Sequence, residues 1–204
     1  QAAIDMVAKT FGALPMRKLA HPDYVDARKV KFTDKRGIHT LYHKGKDDQG
    51  MVLAYWPTTD NKDFKSAVIR SLASEVMGSL LLDEVREKLG ATYSPGTSSF
   101  ASGTYDGYGY LSARIVAEPA KMEIVSNAIK KITKQMRDAP VADDVLLRAR
   151  KPLLEKIEKQ PRENGAWMSI VDEAQTDDDY LTRWRTRMAV YKAVTVEDIQ
   201  AAAA

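Results

Sequence analysis

The sequence contains no cysteine, which excludes two ways of stabilising a fold. Its 204 residues can form neither a disulfide bond nor a metal site with thiolate ligands. The absence does not identify a compartment, because a chain without thiols is compatible with oxidising and reducing surroundings alike. A chain of this length can bury a substantial hydrophobic core, so we expect residues 1–204 to form a single domain.

A long apolar run is also missing. No stretch approaches the roughly 20 apolar residues that a transmembrane helix needs, and Asp5 interrupts the apolar patch at the start. Neither a membrane span nor a targeting segment is therefore predicted. The first residue is not methionine, and the final residues open a helix at a capping box of Thr195 and Asp198. We expect the chain to be excised from a longer protein.

A large excess of one charge is absent as well. The chain carries 31 Lys and Arg residues against 28 Asp and Glu residues, for a net charge of +3, with the two signs mixed along the sequence. A nucleic-acid-binding domain usually shows a basic patch or stripe on one face. The composition therefore indicates no nucleic-acid partner.

The first part of the chain is predicted to be mostly extended. A short helix over residues 2–11 is followed by a linker over residues 16–25, since Gly and Pro interrupt the apolar period. Extended stretches are then predicted at 29–33, 38–43 and 51–56, separated by polar turns. We expect the second and third stretches to form a hairpin.

The middle of the chain predicts the clearest helix and a pair of strands. Apolar residues recur at every fourth position, namely Phe64, Val68, Leu72, Val76 and Leu80. Gly78 is predicted to mark a bend or a close packing point, so residues 79–88 are expected to form a second, shorter helix. Strands at 91–101 and 105–117 should follow as an antiparallel pair.

The last part of the chain is predicted to be helical. The expected helices cover residues 122–136, 141–159 with a kink at Pro152, 162–174 and 181–190. Trp167 and Trp184 are assigned to the core or to helix packing. Strands first and helices second indicate an α+β fold, in which helices cover a mostly antiparallel sheet.

The histidines do not form a recognisable metal site. His39 and His43 come within one residue of the inverted zinc motif H-x-x-E-H, but Tyr42 stands where the glutamate that activates water would be. In a strand their separation would be about 13 Å, too far to share one ion. His21 has no partner in sequence. The acidic clusters are predicted to be solvated surface or a helix start: residues 47–48, 143–144 and 177–179.

A change of period at Gly90 singles out the segment SLLLDEVREKLGATYSP from Ser79 to Pro95. Glycine commonly closes a helix, and a cation complements the negative end of the helix dipole, so Arg86 is predicted at a helix exit. Tyr93 then lies near the start of a strand, and a sharp turn would bring its hydroxyl to the guanidinium. On pattern alone, an Arg in the last turn of a helix and a Tyr near the start of a strand are both ordinary, so the pattern by itself does not indicate a site.

The same segment resembles a known family. The string L-x-x-x-x-R-E-K-L-G-A-T-Y-S, from Leu81 to Ser94, looks like a segment of the C-terminal-type domain of the M16 zinc metallopeptidases. This is the family of pitrilysin, insulin-degrading enzyme and the mitochondrial processing peptidase. KTFGALP, from Lys9 to Pro15, is similar to the helix end and linker that open this domain. TVEDIQAAA, from Thr195, resembles the helix that closes it, so the resemblance covers nearly the whole chain.

The resemblance implies a function and its partners. Two homologous halves close around a peptide substrate, and the zinc ion with its glutamate base belongs to the other half, on the same polypeptide or on a separate subunit. The half that binds no zinc contributes an arginine and a tyrosine, which correspond to Arg86 and Tyr93. Both would donate hydrogen bonds to the substrate carbonyl as it becomes tetrahedral. This chain alone should be inactive, and the resemblance favours the bacterial periplasm as its compartment.

Two other interpretations stay open at this point. A non-catalytic M16-like scaffold or partner-binding subunit would have the same fold, although a pure scaffold has no use for both Arg86 and Tyr93. The presence of H-x-x-E-H in upstream sequence would separate these two possibilities. The third interpretation, an unrelated helix-and-sheet ligand module, requires the match to have arisen by chance.

Overall fold

The described strands lie within residues 50–117, and five of the seven described helices follow them. The computed structural model describes residues 1–15, 24–45, 48–89 and 94–204. The helices in these ranges are α1 (Ala2–Lys9), α2 (Phe64–Leu89), α3 (Met122–Asp138), α4 (Asp143–Lys159), α5 (Asn164–Glu173), α6 (Tyr180–Ala193) and α7 (Val196–Ala203). The strands are β1 (Gly50–Thr58), β2 (Gly96–Ala101) and β3 (Gly109–Ala117). The predicted α+β class is confirmed.

The three strands form an antiparallel sheet in the order β1-β3-β2. Gly50 of β1 pairs with Ala117 of β3, and Gly96 of β2 pairs with Arg114 of β3. Burial alternates along β3, as expected for a strand with one covered face. We call the uncovered side the open face; it carries Met51, Leu53, Tyr55, Pro57, Gly96, Ser98, Phe100, Tyr110, Ser112, Arg114 and Val116.

The hydrophobic core lies between the covered side of the sheet and the helices. Leu72, Leu81, Ile115, Val125 and Ile199 are fully buried there, so α2, β3, α3 and α7 share one core. Burial of large apolar side chains stabilises a domain by about 1.5–3 kcal/mol each. The apolar stripe that predicts α2 from sequence is therefore the surface on which the sheet packs.

Gly78 lies inside one continuous helix, so the predicted division into two helices is wrong. A Cβ atom at position 78 would lie 2.6 Å from Oγ1 of Thr97 in β2, which makes this glycine the close packing point. A glycine costs a helix only about 1 kcal/mol relative to alanine, and tertiary packing offsets that cost. The helix therefore passes through Gly78 and ends at Leu89.

The first half contains fewer strands than the sequence predicts. Residues 29–33 and 38–43 are not strands, and β1 pairs with β3 rather than with 38–43. Leu41 and Tyr42 are 90% and 94% exposed, so the apolar residues of 38–43 do not pack on the core as those of a sheet strand would. Most of the predicted linker, residues 16–23, lies outside the described residues.

The β2–β3 hairpin is shorter than predicted because its turn is longer. Ser102 Oγ accepts hydrogen bonds from the backbone N–H groups of Thr104 and Tyr105, at 3.0 and 2.7 Å. Gly107 has a φ of +65°, a conformation that favours glycine. Residues 102–108 are therefore a turn, and β3 begins at Gly109 rather than at 105.

The helical half agrees with the sequence patterns. The α4 helix contains Pro152, and Thr195 and Asp198 form both hydrogen bonds of a capping box at α7. The Trp167 and Trp184 rings lie 5.6 Å apart, and Trp167 is 46% exposed, so these residues serve helix packing rather than the core. None of the helices in the described ranges is both long and apolar enough to cross a membrane.

Hydrogen bonds join the β1–α2 loop to the hairpin turn. Asp60 Oδ2 accepts a hydrogen bond from Gly107 N at 2.7 Å, and the Asp60 carbonyl accepts one from the buried Arg70 at 2.7 Å. The Gly107 hydrogen bond lowers the pKa of Asp60 below its ordinary value of 3.8, and burial lowers the pKa of Arg70. These contacts fix the sheet end where α2 begins.

Gly109→Ala should destabilise the domain by about 1–3 kcal/mol, because overpacking at a closed site forces the backbone to shift. A Cβ at this position would lie 2.7 Å from the Phe100 carbonyl oxygen. Gly165→Ala is the matched control, since a Cβ at position 165 would have no atom within 4 Å and alanine favours the α5 helix. Urea unfolding should show a loss only for Gly109→Ala; equal midpoints for both variants would contradict this packing.

Asp60→Asn should reduce the stability of the domain at neutral pH. The variant should then lose less stability on acidification than the natural protein does. A carboxylate whose pKa is lowered on folding contributes stability above its unfolded pKa, and that contribution is lost as the pH falls through the folded value. The difference in urea midpoint between the natural protein and the variant should therefore shrink below about pH 3.8. A difference that stays constant from pH 7 to acid would show that Asp60 does not act through its charge.

Candidate functional site

Arg86 lies in the last turn of α2 with its side chain exposed. The preceding residue, Val85, is 1% exposed, so the helix turns the guanidinium away from the core. No residue that the structure describes forms a hydrogen bond or an ion pair with Arg86. The structure describes α2 as far as Leu89, and the predicted helix end at Gly90 lies outside the described residues. A permanent cation without a partner among the described residues therefore lies in the last described turn of α2.

Glu84 anchors this end of the helix. Its side chain is 6% exposed and accepts a hydrogen bond from Lys131 Nζ of α3 at 2.7 Å. Only the Glu84 side of this pair is buried, since Lys131 is 54% exposed, so the loss of Lys131 would be destabilising because it removes a counter-charge from a buried carboxylate. The pair ties α2 to α3 only two residues before Arg86, which fixes the direction in which the helix leaves the core.

Sequence analysis did not identify Glu84 as a buried residue. Its position three residues after Leu81 places it on the apolar stripe of the helix, and that placement is the signal that was available. A charged residue on such a stripe needs a partner from another element. Lys131, 47 residues further along the chain, could be recognised only from the tertiary structure.

The chain reverses direction between α2 and β2. Thr97 of β2 returns to Gly78, about three helical turns before α2 ends. The start of β2 therefore packs beside the middle of α2, and the last turns of α2 extend beyond that contact. Tyr93, the second predicted site residue, belongs to the segment 90–93, which lies outside the described residues.

His43 takes part in local backbone hydrogen bonds. His43 Nδ1 accepts a hydrogen bond from Gly45 N at 2.9 Å, and His43 Nε2 lies 3.1 Å from the Gln49 carbonyl oxygen. Both ring nitrogens are therefore engaged. The strand geometry predicted for His39 and His43 is wrong, although the missing glutamate still separates this segment from a zinc motif. His21 lies outside the described residues.

No metal centre is present within the described ranges. No three His, Asp or Glu side chains there approach one another closely enough to hold an ion. Asp143 and Asp144 lie in the first turn of α4. Asp177, just before α6, forms an ion pair with Arg183 of α6. The donor set that the structure describes does not fit a zinc ion.

An open cleft of about 340 Å³ lies at the opposite end of α2. Phe64 and Ala67 of α2 and Trp184 and Arg187 of α6 are among its lining residues, and the Arg187 guanidinium stacks on Trp184 at 4.0 Å. Burial lowers the pKa of Arg187. The cleft is roughly 29 Å along the helix from Arg86, so it is a separate feature.

Comparisons with known proteins agree with this architecture. The family model for the Peptidase M16 inactive domain matches residues 1–153. Stromal processing peptidase of Arabidopsis thaliana chloroplasts is 26% identical over 137 residues, which cover 65% of this chain and 11% of that protein. The chain thus spans only 10–11% of the length of the curated relatives it matches.

Two solved structures share the fold at low sequence identity. A protease from Helicobacter pylori superposes with a TM-score of 0.67 at 15% identity, covering 100% of this chain and 49% of that chain. A peptidase M16 inactive domain from Pseudomonas fluorescens superposes with a TM-score of 0.58 at 20% identity, covering 76% and 37%. An unrelated ligand module is therefore the wrong interpretation. The matched residues 1–153 include the whole sheet, α2 and Arg86, and the chain belongs to the Peptidase M16 inactive domain family.

Proposed function

We propose that this domain is the non-zinc-binding half of an M16 zinc metallopeptidase and closes over a peptide substrate. The observation that carries the proposal is the exposed Arg86 at the exit of α2, within a domain of the M16 inactive family. Zinc and the glutamate base are assigned to a facing half, because the donors described in this chain do not fit a metal ion. That half can belong to the same polypeptide or to a separate subunit.

Arg86 is proposed to stabilise the tetrahedral intermediate of peptide-bond hydrolysis. When the substrate carbonyl becomes an oxyanion, a fixed donor near that oxygen lowers the barrier by about 3 kcal/mol. A guanidinium suits this task because it stays charged and presents several N–H donors in one plane. The anchoring of α2 by Glu84 and Lys131 supports the role, since a donor contributes most when it is held in place before the reaction.

Tyr93 is proposed as the second donor. It follows Arg86 by seven residues and precedes β2, whose Thr97 packs against Gly78 of α2. A phenol donates a single O–H and is uncharged at neutral pH, so it can share the oxyanion with the guanidinium without repelling it. The pair would therefore act on one oxygen atom from two directions.

In the intact enzyme, Arg86→Ala should lower kcat/KM by about 100-fold, the typical effect of removing one oxyanion donor. Tyr93→Phe should act in the same direction, and the zinc content should be unchanged in both variants. Glu87→Gln is the matched control, because Glu87 is exposed on the same helical turn. Steady-state kinetics measures kcat/KM, and metal analysis measures the zinc content of each variant.

Two outcomes would contradict this role. Unchanged turnover for Arg86→Ala would favour the non-catalytic scaffold, in which the arginine has no task. Loss of zinc together with turnover would instead indicate that the substitution disturbs the fold.

The purified 204-residue chain should leave a quenched fluorescent peptide uncut with or without added zinc. The reason is that hydrolysis requires an activated water, and no group in the described residues is placed to supply it. Adding a chelator should change nothing. Cleavage that copurifies with the chain and disappears with the chelator would overturn the assignment of zinc to another half.

A further inference from the structure

We propose that the open face of the sheet selects substrate peptides that carry an acidic residue about four positions from a large apolar residue, with Arg114 as the specificity-determining residue. The inference rests on the proposed function, because it supplies the substrate class for the same peptide-closing half. It depends on two features of the face: an exposed aromatic region and a cation that forms no ion pair with any described residue.

The apolar part of the open face is large for a surface in contact with water. Leu53, Tyr55, Phe100 and Val116 are 43–58% exposed. The Tyr110 ring lies 5.4 Å from Tyr55 and 5.2 Å from Phe100, so the three rings form one aromatic cluster across all three strands. Contiguous exposed apolar surface of this kind usually marks an interaction site.

Arg114 occupies the centre of the same face. It lies between Leu53 of β1 and Gly96 of β2 in the strand register, and its side chain is exposed. A Cβ at position 96 would lie 3.9 Å from Nε and 4.0 Å from Nη2, so the guanidinium rests over the glycine. No acidic residue is among the strand residues of the open face, and no described residue forms an ion pair with Arg114.

The arrangement indicates the chemistry of the occupant. A guanidinium without an ion-pair partner among the described residues, on a face whose strand residues carry no other charge, attracts a carboxylate and can bind it through two parallel hydrogen bonds. Arg114 and Tyr110 are four residues apart on one strand, which corresponds to about 13 Å. An extended peptide spans the same distance with four residues. One cation is too few for nucleic acid or an acidic membrane surface, so a peptide is the occupant we assign.

The test compares two short fluorescent peptides that differ at one residue. Each carries Phe, and four residues later either Glu or Gln. Fluorescence anisotropy with the 204-residue chain at low salt should show about three- to fivefold tighter binding of the Glu peptide, the range for an accessible ion pair. Added salt should reduce this preference, because it screens charges at the surface.

Four variants separate the two parts of the face. Arg114→Gln should abolish the Glu preference, and Arg114→Lys should keep part of it because the charge remains. Lys130→Gln, which removes an exposed cation from the helix side, is the matched control and should keep the full preference. Phe100→Ala should weaken the binding of both peptides by about fivefold or more, as truncation of an aromatic contact does. The ratio of the two affinities should not change.

Several results would overturn the inference. They are equal binding of the two peptides, a Glu preference that survives Arg114→Gln, and the absence of binding to either peptide up to about 1 mM. Self-association of the chain that Phe100→Ala abolishes would assign the face to a second copy instead.

The outcome can be separated from that of the proposed function. The two peptides differ only at the residue that Arg114 is proposed to bind, so Arg86→Ala should keep the ratio of their affinities. If the natural protein shows no Glu preference while Arg86 still controls turnover, only the substrate class is refuted. An intact preference with turnover that is independent of Arg86 would refute only the catalytic role.

Discussion

The packing of α2 against the covered side of the sheet is the contact on which the rest of the structure depends. The helix is roughly 39 Å long and buries its apolar stripe along its length. Gly78 lets Thr97 approach the helix surface, which sets the distance between the two layers. The beginning of α2 joins the hairpin turn through Arg70 and Asp60, and its other end presents Arg86. A shift of the helix would therefore move both ends of the domain together.

The two sides of the sheet have different tasks. The covered side carries small and branched residues such as Ala113 and Ile115, which fit closely against helices. The open face carries rings, hydroxyls and one guanidinium, and the Ser98 and Ser112 hydroxyls lie 2.8 Å apart between them. A sheet covered by helices on one side leaves its other side for a partner layer. The function proposed above would assign that layer to a bound peptide or to the opposite half.

The helices beyond residue 153 lie outside the family match, yet they are tied to the core by specific contacts. Arg150 of α4 donates a hydrogen bond to the Lys192 carbonyl at 3.0 Å and another to the Val194 carbonyl. These carbonyls belong to the end of α6, where backbone acceptors lack partners within the helix. Ile199 of α7 is fully buried against the same core. The C-terminal helices thus complete the layer that supports α2.

Local patterns in the sequence determined α2, α3, the capping box of α7 and the antiparallel pairing of β2 with β3, because each depends on residues close together in the chain. The motif around Arg86 determined the family for the same reason. Only the tertiary structure decided that β1 pairs with β3, that residues 38–43 have no strand partner, and that Gly78 stays within one helix. It also decided that Glu84 is buried against Lys131. Each of these outcomes depends on which distant surface a segment meets, and an alternating or helical pattern specifies a face without specifying its partner.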